Sequence, residues 1–148
     1  MKKQILALSL GLMTIGAFAQ KDELKAAEKA LKKDDFKTAK EIILTLEGTE
    51  ATMDAKYKAQ YYFVKGQAYG KSDVTKAAEA YNNLFAYEKE IGKSKYTKDA
   101  QPKLNDLIKF VSTNAIKLYN DDKDYKTMEK TGKGLTKLYT TVHNCTAL

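Results

Sequence analysis

The chain has 148 residues, a net charge of +7, one histidine and one cysteine, and each of its 26 basic residues is a lysine. Specific recognition of phosphates and bases depends on the bidentate arginine guanidinium group, so the absence of arginine argues against a nucleic-acid binder. A single cysteine excludes an intrachain disulfide, so the domain must be held together by packing.

The first 20 residues have the three parts of a secretory signal peptide. Two lysines open the segment, residues 5–15 are almost wholly apolar, and the sequence AFAQ supplies small side chains around a cleavage site. The apolar stretch is shorter than the roughly 20 residues of a membrane span. We therefore predict cleavage between Ala19 and Gln20, removal of residues 1–19, and a mature protein in the periplasm or outside the cell. No stable membrane anchor is expected after cleavage.

Two amphipathic segments follow the signal peptide. The first, from about residue 22 to 33, repeats apolar side chains at helical spacing, and Asp34 and Asp35 then supply a turn and an N-cap. The second begins at Phe36 and ends at Gly48, where a left-handed residue is favoured. The spacing predicts two helices joined by a short turn.

The next two segments repeat this arrangement. Residues 52–69 carry an apolar stripe at helical spacing, and Gly70 ends the segment. Ser72 and Asp73 cap the fourth segment, which ends at Gly92. A second helical pair with a short turn is predicted.

The third pair is less regular. Residues 93–101 form the longest predicted loop, and Pro102 suits the first turn of a fifth helix. A tight turn over residues 121–124 leads to the sixth segment. Gly132 and Gly134 weaken this segment, since an interior glycine costs about 1 kcal/mol relative to alanine.

The C-terminal residues 141–148 do not continue the helical pattern, and they contain the only histidine and the only cysteine. We expect an irregular tail here, after a helical domain that covers residues 20–140. Repeat arrays usually end in a polar capping helix, and none is evident in this sequence. This favours a chain that is the N-terminal part of a longer array.

The helical segments predict an all-α protein, because no segment alternates apolar and polar side chains as a strand does. A helix pair with one apolar stripe on each helix cannot bury both stripes by itself. Short turns favour antiparallel neighbours. The predicted architecture is therefore a short solenoid of stacked antiparallel hairpins, with about six helices after the signal peptide.

The pairs resemble tetratricopeptide repeats. Small and large side chains occupy the packing positions of this family in the second pair, namely Tyr62, Gly66, Tyr69, Ala77, Tyr81 and Leu84. The spacing departs from the family's period of about 34 residues, and in the third pair Met128 and Gly132 replace the usual alanine and aromatic residue. The chain, with its signal ending AFAQ, also resembles exported repeat proteins of the Bacteroidetes type.

This resemblance implies a scaffold whose inner helices line a groove for a peptide or a partner helix. Carried over to this sequence, the groove residues are Gln60, Phe63 and Gln67 in the second pair, and Thr113 and Lys117 in the third. Phe63 has an equally good interpretation as a core residue.

No segment has the full pattern of a catalytic or metal-binding site. Residues 122–124 resemble the start of a calcium loop, but the sixth position of that loop is Thr127 rather than glycine. Residues 92–94 resemble the end of a phosphate loop, but they lack its first glycine and its strand. One histidine near the C terminus cannot complete a hydrolase triad. We expect a non-enzymatic protein with no cofactor and no metal.

Two functional hypotheses remain. The first is an exported scaffold that mediates protein–protein interaction in the cell envelope. The alternative is an envelope-associated binder of polysaccharide or of an anionic surface, acting through lysines and exposed tyrosines. Tyr57, Tyr61, Tyr87 and Tyr96 lie off the main apolar stripes, and we predict that they are exposed.

Overall fold

A computed structural model of the protein describes residues 20–146, without the side chains of residues 121, 122 and 144–146. The predicted signal peptide and Ala19, on one side of its cleavage site, lie outside the described residues. Gln20, on the other side of that site, is the first described residue; it is helical and half-buried.

Residues 20–146 form six helices and no strand, which confirms the all-α prediction. Helix α1 covers residues 20–31 of the described chain. The helices that follow are α2 (Phe36–Leu46), α3 (Ala55–Tyr69), α4 (Val74–Glu90), α5 (Thr97–Lys117) and α6 (Tyr125–Thr146). A single π-helical turn, Leu118–Asp122, continues α5.

One aspartate caps the second helix of each pair, because a carboxylate can accept hydrogen bonds from the free backbone N–H groups of a first helical turn. Asp35 accepts from the N–H of Thr38 at the start of α2, with 3.1 Å between oxygen and nitrogen. Asp73 and Asp124 act in the same way at the starts of α4 and α6. The tight turns between paired helices are therefore encoded by short polar segments, as the sequence predicts.

The start of α5 differs from the prediction. The helix begins at Thr97, so Pro102 lies inside it rather than in its first turn. The reason is the buried carboxylate of Glu88 on α4, which accepts from the backbone N–H groups of Tyr96 and Thr97 at 2.7 and 2.9 Å. It also accepts from the Thr97 hydroxyl at 2.7 Å. A side chain from the preceding helix thus supplies the N-terminal cap.

The end of α6 corrects the expected boundary at residue 140. The helix continues to Thr146, through a segment that was expected to be irregular. Contacts with α4 account for this, because Thr141 is fully buried and its hydroxyl accepts from the Asn82 side-chain amide at 2.8 Å. Lys137 reaches Glu79 of α4 at 2.9 Å one turn earlier. Packing, rather than the local sequence, extends this helix.

Helix α4 is the central element, and it packs against α3, α5 and α6. Helix α2 packs against α3, and α5 packs against α6. Helix α1 contributes Leu24, Ala27 and Ala30 to the same apolar core. No comparably extensive packing joins α3 to α5 within the described residues, and a cleft lies between them.

The residues at the family's packing positions are mostly buried between α3 and α4. Tyr69, Ala77, Tyr81 and Leu84 are buried, and a Cβ atom at Gly66 would lie only 2.8 Å from the ring of Tyr81. Tyr62 is only partly buried, and its ring meets the edge of the Tyr87 ring. The glycine lets α3 and α4 approach closely, because the tyrosine ring occupies the space that a side chain would need.

Candidate functional site

A cleft with an apolar and a basic part lies on the surface of the described residues. The apolar part is a cavity of about 360 Å³ that the first helix of each pair borders, with α1, α3 and α5 each contributing side chains. Its lining residues are Leu31, Asp34, Phe36, Gly66, Gln67, Gly70, Lys71, Tyr81, Lys103, Asp106, Leu107 and Phe110.

Apolar side chains form the walls of this part. Leu107 and Phe110 project from α5, opposite Leu31 and Phe36 at the turn between α1 and α2. Phe110 is 40 % exposed, which is high for a large apolar side chain. The ammonium group of Lys71 lies 4.2 Å from the centre of the Phe36 ring, within the range of a cation–π contact.

Tyr81 borders the apolar part from α4. Its side chain is only 1 % exposed, yet it reaches the cavity. Burial raises the pKa of its phenol above the ordinary tyrosine value, so the hydroxyl keeps its proton at neutral pH. Across residues 20–146, no protein group makes a hydrogen bond with this hydroxyl. It therefore remains a donor at the edge of the cleft.

The basic part adjoins the apolar part, because Lys71 and Phe110 line both. It is a cavity of about 420 Å³ between the start of α4, the end of α5 and the start of α6. Lys117 of α5 and Lys130 of α6 line it together with Lys71. The remaining lining side chains are mostly hydroxyls and an amide: Ser72, Thr75, Asn114, Thr127 and Thr131.

The lysines of the cleft differ from several others in having no acidic partner. Lys65, Lys133 and Lys137 each lie within 3.1 Å of a glutamate oxygen. Among the side chains that the structure describes, which do not include those of residues 121 and 122, no carboxylate forms an ion pair with any of the four cleft lysines, which are Lys71, Lys103, Lys117 and Lys130.

The structure separates the five groove residues suggested by the family resemblance. Gln67 lines the apolar part of the cleft, and Lys117 lines the basic part. Gln60 donates to Glu28 of α1 at 2.9 Å, and Phe63 is buried with its ring centre 5.3 Å from that of Tyr96. Thr113 is exposed on α5, where its hydroxyl donates to the Lys109 carbonyl oxygen.

Two of these five residues make contacts between helices, and two others line the cleft. The bond between Glu28 and Gln60 joins α1 to α3, and the contact between Phe63 and Tyr96 joins α3 to the start of α5. Gln60 and Phe63 therefore connect the first helices of the three pairs to one another. Gln67 and Lys117, by contrast, line the cleft. Sequence reasoning missed Lys71 and Lys130, which stand on a turn and on the least regular predicted helix.

A second polar cluster joins the end of α2 to α3 and α4. Lys65 donates to the hydroxyl of Tyr61 at 3.0 Å, and its ammonium lies 3.1 Å from Glu47 and 3.6 Å from Glu50. The Tyr61 hydroxyl donates to Glu50 at 2.8 Å, and that of Tyr69 donates to Glu47 at 2.9 Å. Tyr61 is fully buried by this network, and Tyr57, Tyr87 and Tyr96 are partly buried against the core, so the prediction that these four tyrosines are exposed was wrong.

The charges of this cluster favour a structural role. Burial raises the pKa values of Glu47 and Glu50, but hydrogen bonds and nearby lysine charge outweigh it and lower both pKa values overall. For Glu47 the donors are Lys65 and Tyr69, and for Glu50 they include Tyr61. A carboxylate held ionised in this way cannot act as a general acid near neutral pH.

Two further searches concern the described residues only. None of the helices within residues 20–146 is both long and apolar enough to cross a membrane. Among the described side chains, which leave out those of residues 121, 122 and 144–146, no three of His, Cys, Asp or Glu come together as a metal site would require.

Comparison with known proteins gives no assignment: no family model matches the chain, and neither a curated protein nor a solved structure does. A functional proposal for this protein therefore depends on its own sequence and on the geometry of the cleft.

Proposed function

We propose that this protein is an exported, non-enzymatic helical-repeat scaffold that binds a segment of a partner protein in the cleft. The observation that carries the proposal is the composition of the cleft wall. The first helix of each of the three pairs borders the apolar part, where a tetratricopeptide-like stack would place its groove. Gln67 and Lys117, two of the groove residues suggested by that resemblance, line the two parts.

The dimensions of the cleft support a polypeptide segment. Each part has a volume within the range of about 300–1,000 Å³ that is typical of ligand sites. The two parts adjoin, because Lys71 and Phe110 line both of them. An elongated site of this kind suits an extended chain better than a compact small molecule, because successive side chains can enter successive parts.

Export is supported by the sequence of residues 1–19, with its basic start, apolar stretch and small residues at the cleavage site. Removal of that segment takes two lysines with it and lowers the net charge from +7 to +5. The working protein is then a helical domain in the periplasm or outside the cell. Its intact mass, measured on protein from the envelope fraction, should correspond to a chain that begins at Gln20.

A photo-cross-linking amino acid placed at Phe110 tests the binding role in living cells. Phe110 lies in the cleft, whereas Ile91 has the same 40 % exposure and lies outside it at the end of α4. We expect one defined protein to be cross-linked from position 110 and not from position 91. The two sites are matched in exposure and in apolar character, so non-specific capture should affect both equally.

Two results would contradict the proposal. Equal cross-linking from both positions would mean that the cleft does not select a partner. The absence of any protein adduct at position 110, with the variant folded and exported, would remove the cleft as a protein-binding site.

A second candidate function is binding to polysaccharide or to an anionic surface of the envelope. It is favoured by three tyrosines near the end of α5 and on α6, since Tyr119, Tyr125 and Tyr139 are each more than half exposed. The rings of Tyr119 and Tyr125 meet edge to face with 6.1 Å between centres. Exposed aromatic rings next to lysines can bind a polymer that has both apolar faces and negative charge.

This second function makes a distinct prediction for sedimentation with cell-wall material. Replacing Tyr119 and Tyr125 by alanine should abolish salt-sensitive binding, whereas Ile116→Ala should not. Ile116 is 61 % exposed in the same region, so it controls for lost apolar surface. Equal loss in both variants would point to general stickiness rather than to recognition by tyrosine.

A further inference from the structure

We infer that the segment bound in the cleft is acidic and carries one large apolar side chain directly beside its acidic residues. This inference rests on the proposed function and adds the chemistry of the partner. Its three supports are the apolar walls, the hydroxyl of Tyr81 and the unpaired lysines.

The apolar part selects the large apolar side chain. Leu107 is buried within the wall, while Phe110 remains substantially exposed at the rim. Burial of apolar surface stabilises a complex by about 25 cal/mol for each Å² removed from water. A leucine or phenylalanine side chain from the partner would cover Phe110 and fill the space between α1 and α5.

The hydroxyl of Tyr81, on the α4 side of this space, can supply a directional hydrogen bond. It is a protonated donor with no hydrogen-bond partner in the described protein, on a side chain that is almost fully buried. No buried side-chain oxygen of the described residues lacks a partner, so this hydroxyl reaches the solvent of the cleft, where it can donate to an acceptor of the ligand. The backbone carbonyl oxygen of the inserted residue supplies such an acceptor.

The basic part selects the acidic residues. Lys71, Lys117 and Lys130 meet there, and the acidic side chain that lines the cavity is Asp73. Asp73 already accepts from the backbone N–H of Lys76 as the cap of α4. Asp34 and Asp106 line the apolar part, so within the basic part carboxylates from a partner would meet three lysines and one acid that already caps a helix.

The spacing of the apolar and acidic residues in the partner segment follows from the two residues that line both parts of the cleft. Lys71 and Phe110 line both parts, so the two parts lie directly next to each other. A segment that inserts its apolar side chain beside Phe110 must pass Lys71 within the next few residues. The acidic residues are therefore adjacent to the apolar one in the partner's sequence.

The test uses an acetylated and amidated peptide that contains one leucine followed by three glutamates, titrated into the purified protein at low salt. Lys117→Gln with Lys130→Gln should weaken binding about tenfold, since each exposed ion pair contributes up to about 1 kcal/mol. Lys109→Gln with Lys126→Gln is the matched control. Each double variant removes one charge from α5 and one from α6, but Lys109 and Lys126 do not line the cleft. The control should bind like the unmodified protein.

Tyr81→Phe tests the directional contact separately. It removes one oxygen and keeps the ring against Gly66, so circular dichroism should show an unchanged fold. We expect about fivefold weaker binding of the same peptide, in line with one neutral hydrogen bond. Unchanged affinity in this variant would overturn the role of the hydroxyl.

Three results with the peptides and the lysine variants would each overturn the ligand chemistry. They are equal binding of a peptide with lysines in place of the glutamates, equal binding of a peptide with glycine in place of the leucine, and equal weakening by the two double variants. A preference for dodecanoate over the peptide would likewise overturn it, in favour of a lipid. If the peptide fails while the cross-link at position 110 persists, the inferred chemistry is wrong and the scaffold function stands.

Discussion

At the scale of single residues, Gly66 controls how closely α3 approaches α4. A Cβ atom at this position would lie 2.8 Å from two carbon atoms of the Tyr81 ring, closer than real side chains approach. The ring is almost fully buried and stacks against Phe85, so it has little room to move away. We predict that Gly66→Ala lowers the free energy of unfolding by about 1–3 kcal/mol, which is the usual cost of overpacking a core.

Gly132 is the matched control for this prediction. It lies inside α6, and a Cβ atom there would have no neighbour within 4 Å. Gly132→Ala should raise the free energy of unfolding by about 0.4–1 kcal/mol, because alanine restricts the unfolded chain and favours the helix. Urea unfolding measures both variants, and shifts of the same sign would contradict the packing argument.

The neighbouring residues Tyr61 and Tyr62 show where residue-level prediction fails. The apolar stripe of the sequence assigns Tyr62 to the core and Tyr61 to the surface, but Tyr61 is fully buried and Tyr62 only partly. Tyr61 can be buried because Glu50 accepts from its hydroxyl and Lys65 donates to it. Lys65 is one turn away on the same helix, but Glu50 depends on how the loop after α2 folds back, which helical periodicity cannot reveal.

At the scale of whole elements, the sequence predicts helix boundaries well where a local signal exists. Gly48 and Gly92 adopt positive φ angles of 87° and 63° after α2 and α4, as expected for residues that end helices. Asp35 and Asp73 cap α2 and α4 through their side chains. These signals operate within a few residues, so they can be recognised without any knowledge of the tertiary structure.

The start of α5 could not be predicted, because its cap comes from another helix. Glu88 is buried on α4, and it lies eight and nine residues before the groups that it accepts from, which belong to Tyr96 and Thr97. Pro102 provided the stronger local signal and led to a start five residues too late. Only the packed structure shows that the loop turns back over Glu88.

We therefore predict that Glu88→Ala destabilises the protein by about 1–3 kcal/mol, the cost of leaving buried donors without an acceptor. Amide hydrogen exchange of Tyr96 and Thr97 should also accelerate. Glu90→Ala, an exposed change in the last turn of the same helix, should leave both properties nearly unchanged. Similar effects of the two substitutions would show that the bonds from Glu88 do not hold the start of α5.

At the scale of the whole molecule, the sequence predicts helices in pairs but not the cleft. The cleft exists because α5 packs on α6 and α4 while leaving space beside α3. Its walls join residues as distant in the chain as Leu31 and Phe110. Such a site depends on the angles between helices, and the apolar stripes specify which faces are buried rather than those angles.

The acid sensitivity of the fold is a property of the whole molecule that the cluster around Lys65 should control. Glu47 and Glu50 have lowered pKa values in the folded protein, whereas the pKa of a glutamate in the unfolded chain is about 4.3. The folded state therefore binds fewer protons, and its stabilisation is complete above that pH and is lost as the pH falls through the folded pKa values. The free energy of unfolding should decrease as the solution is acidified from pH 6 to pH 3.

Lys65→Met separates this cluster from the exposed acidic caps, whose pKa values are lowered as well. Removing the ammonium group takes away its hydrogen bond and charge, so the pKa values of Glu47 and Glu50 should rise toward those of the unfolded chain. We expect about 1–3 kcal/mol lower stability at pH 7 and a shallower loss on acidification. Lys98→Met, at an exposed position of α5, should change neither quantity. If the acid slope of the Lys65 variant matched that of the unmodified protein, the caps rather than this cluster would set the acid limit of the fold.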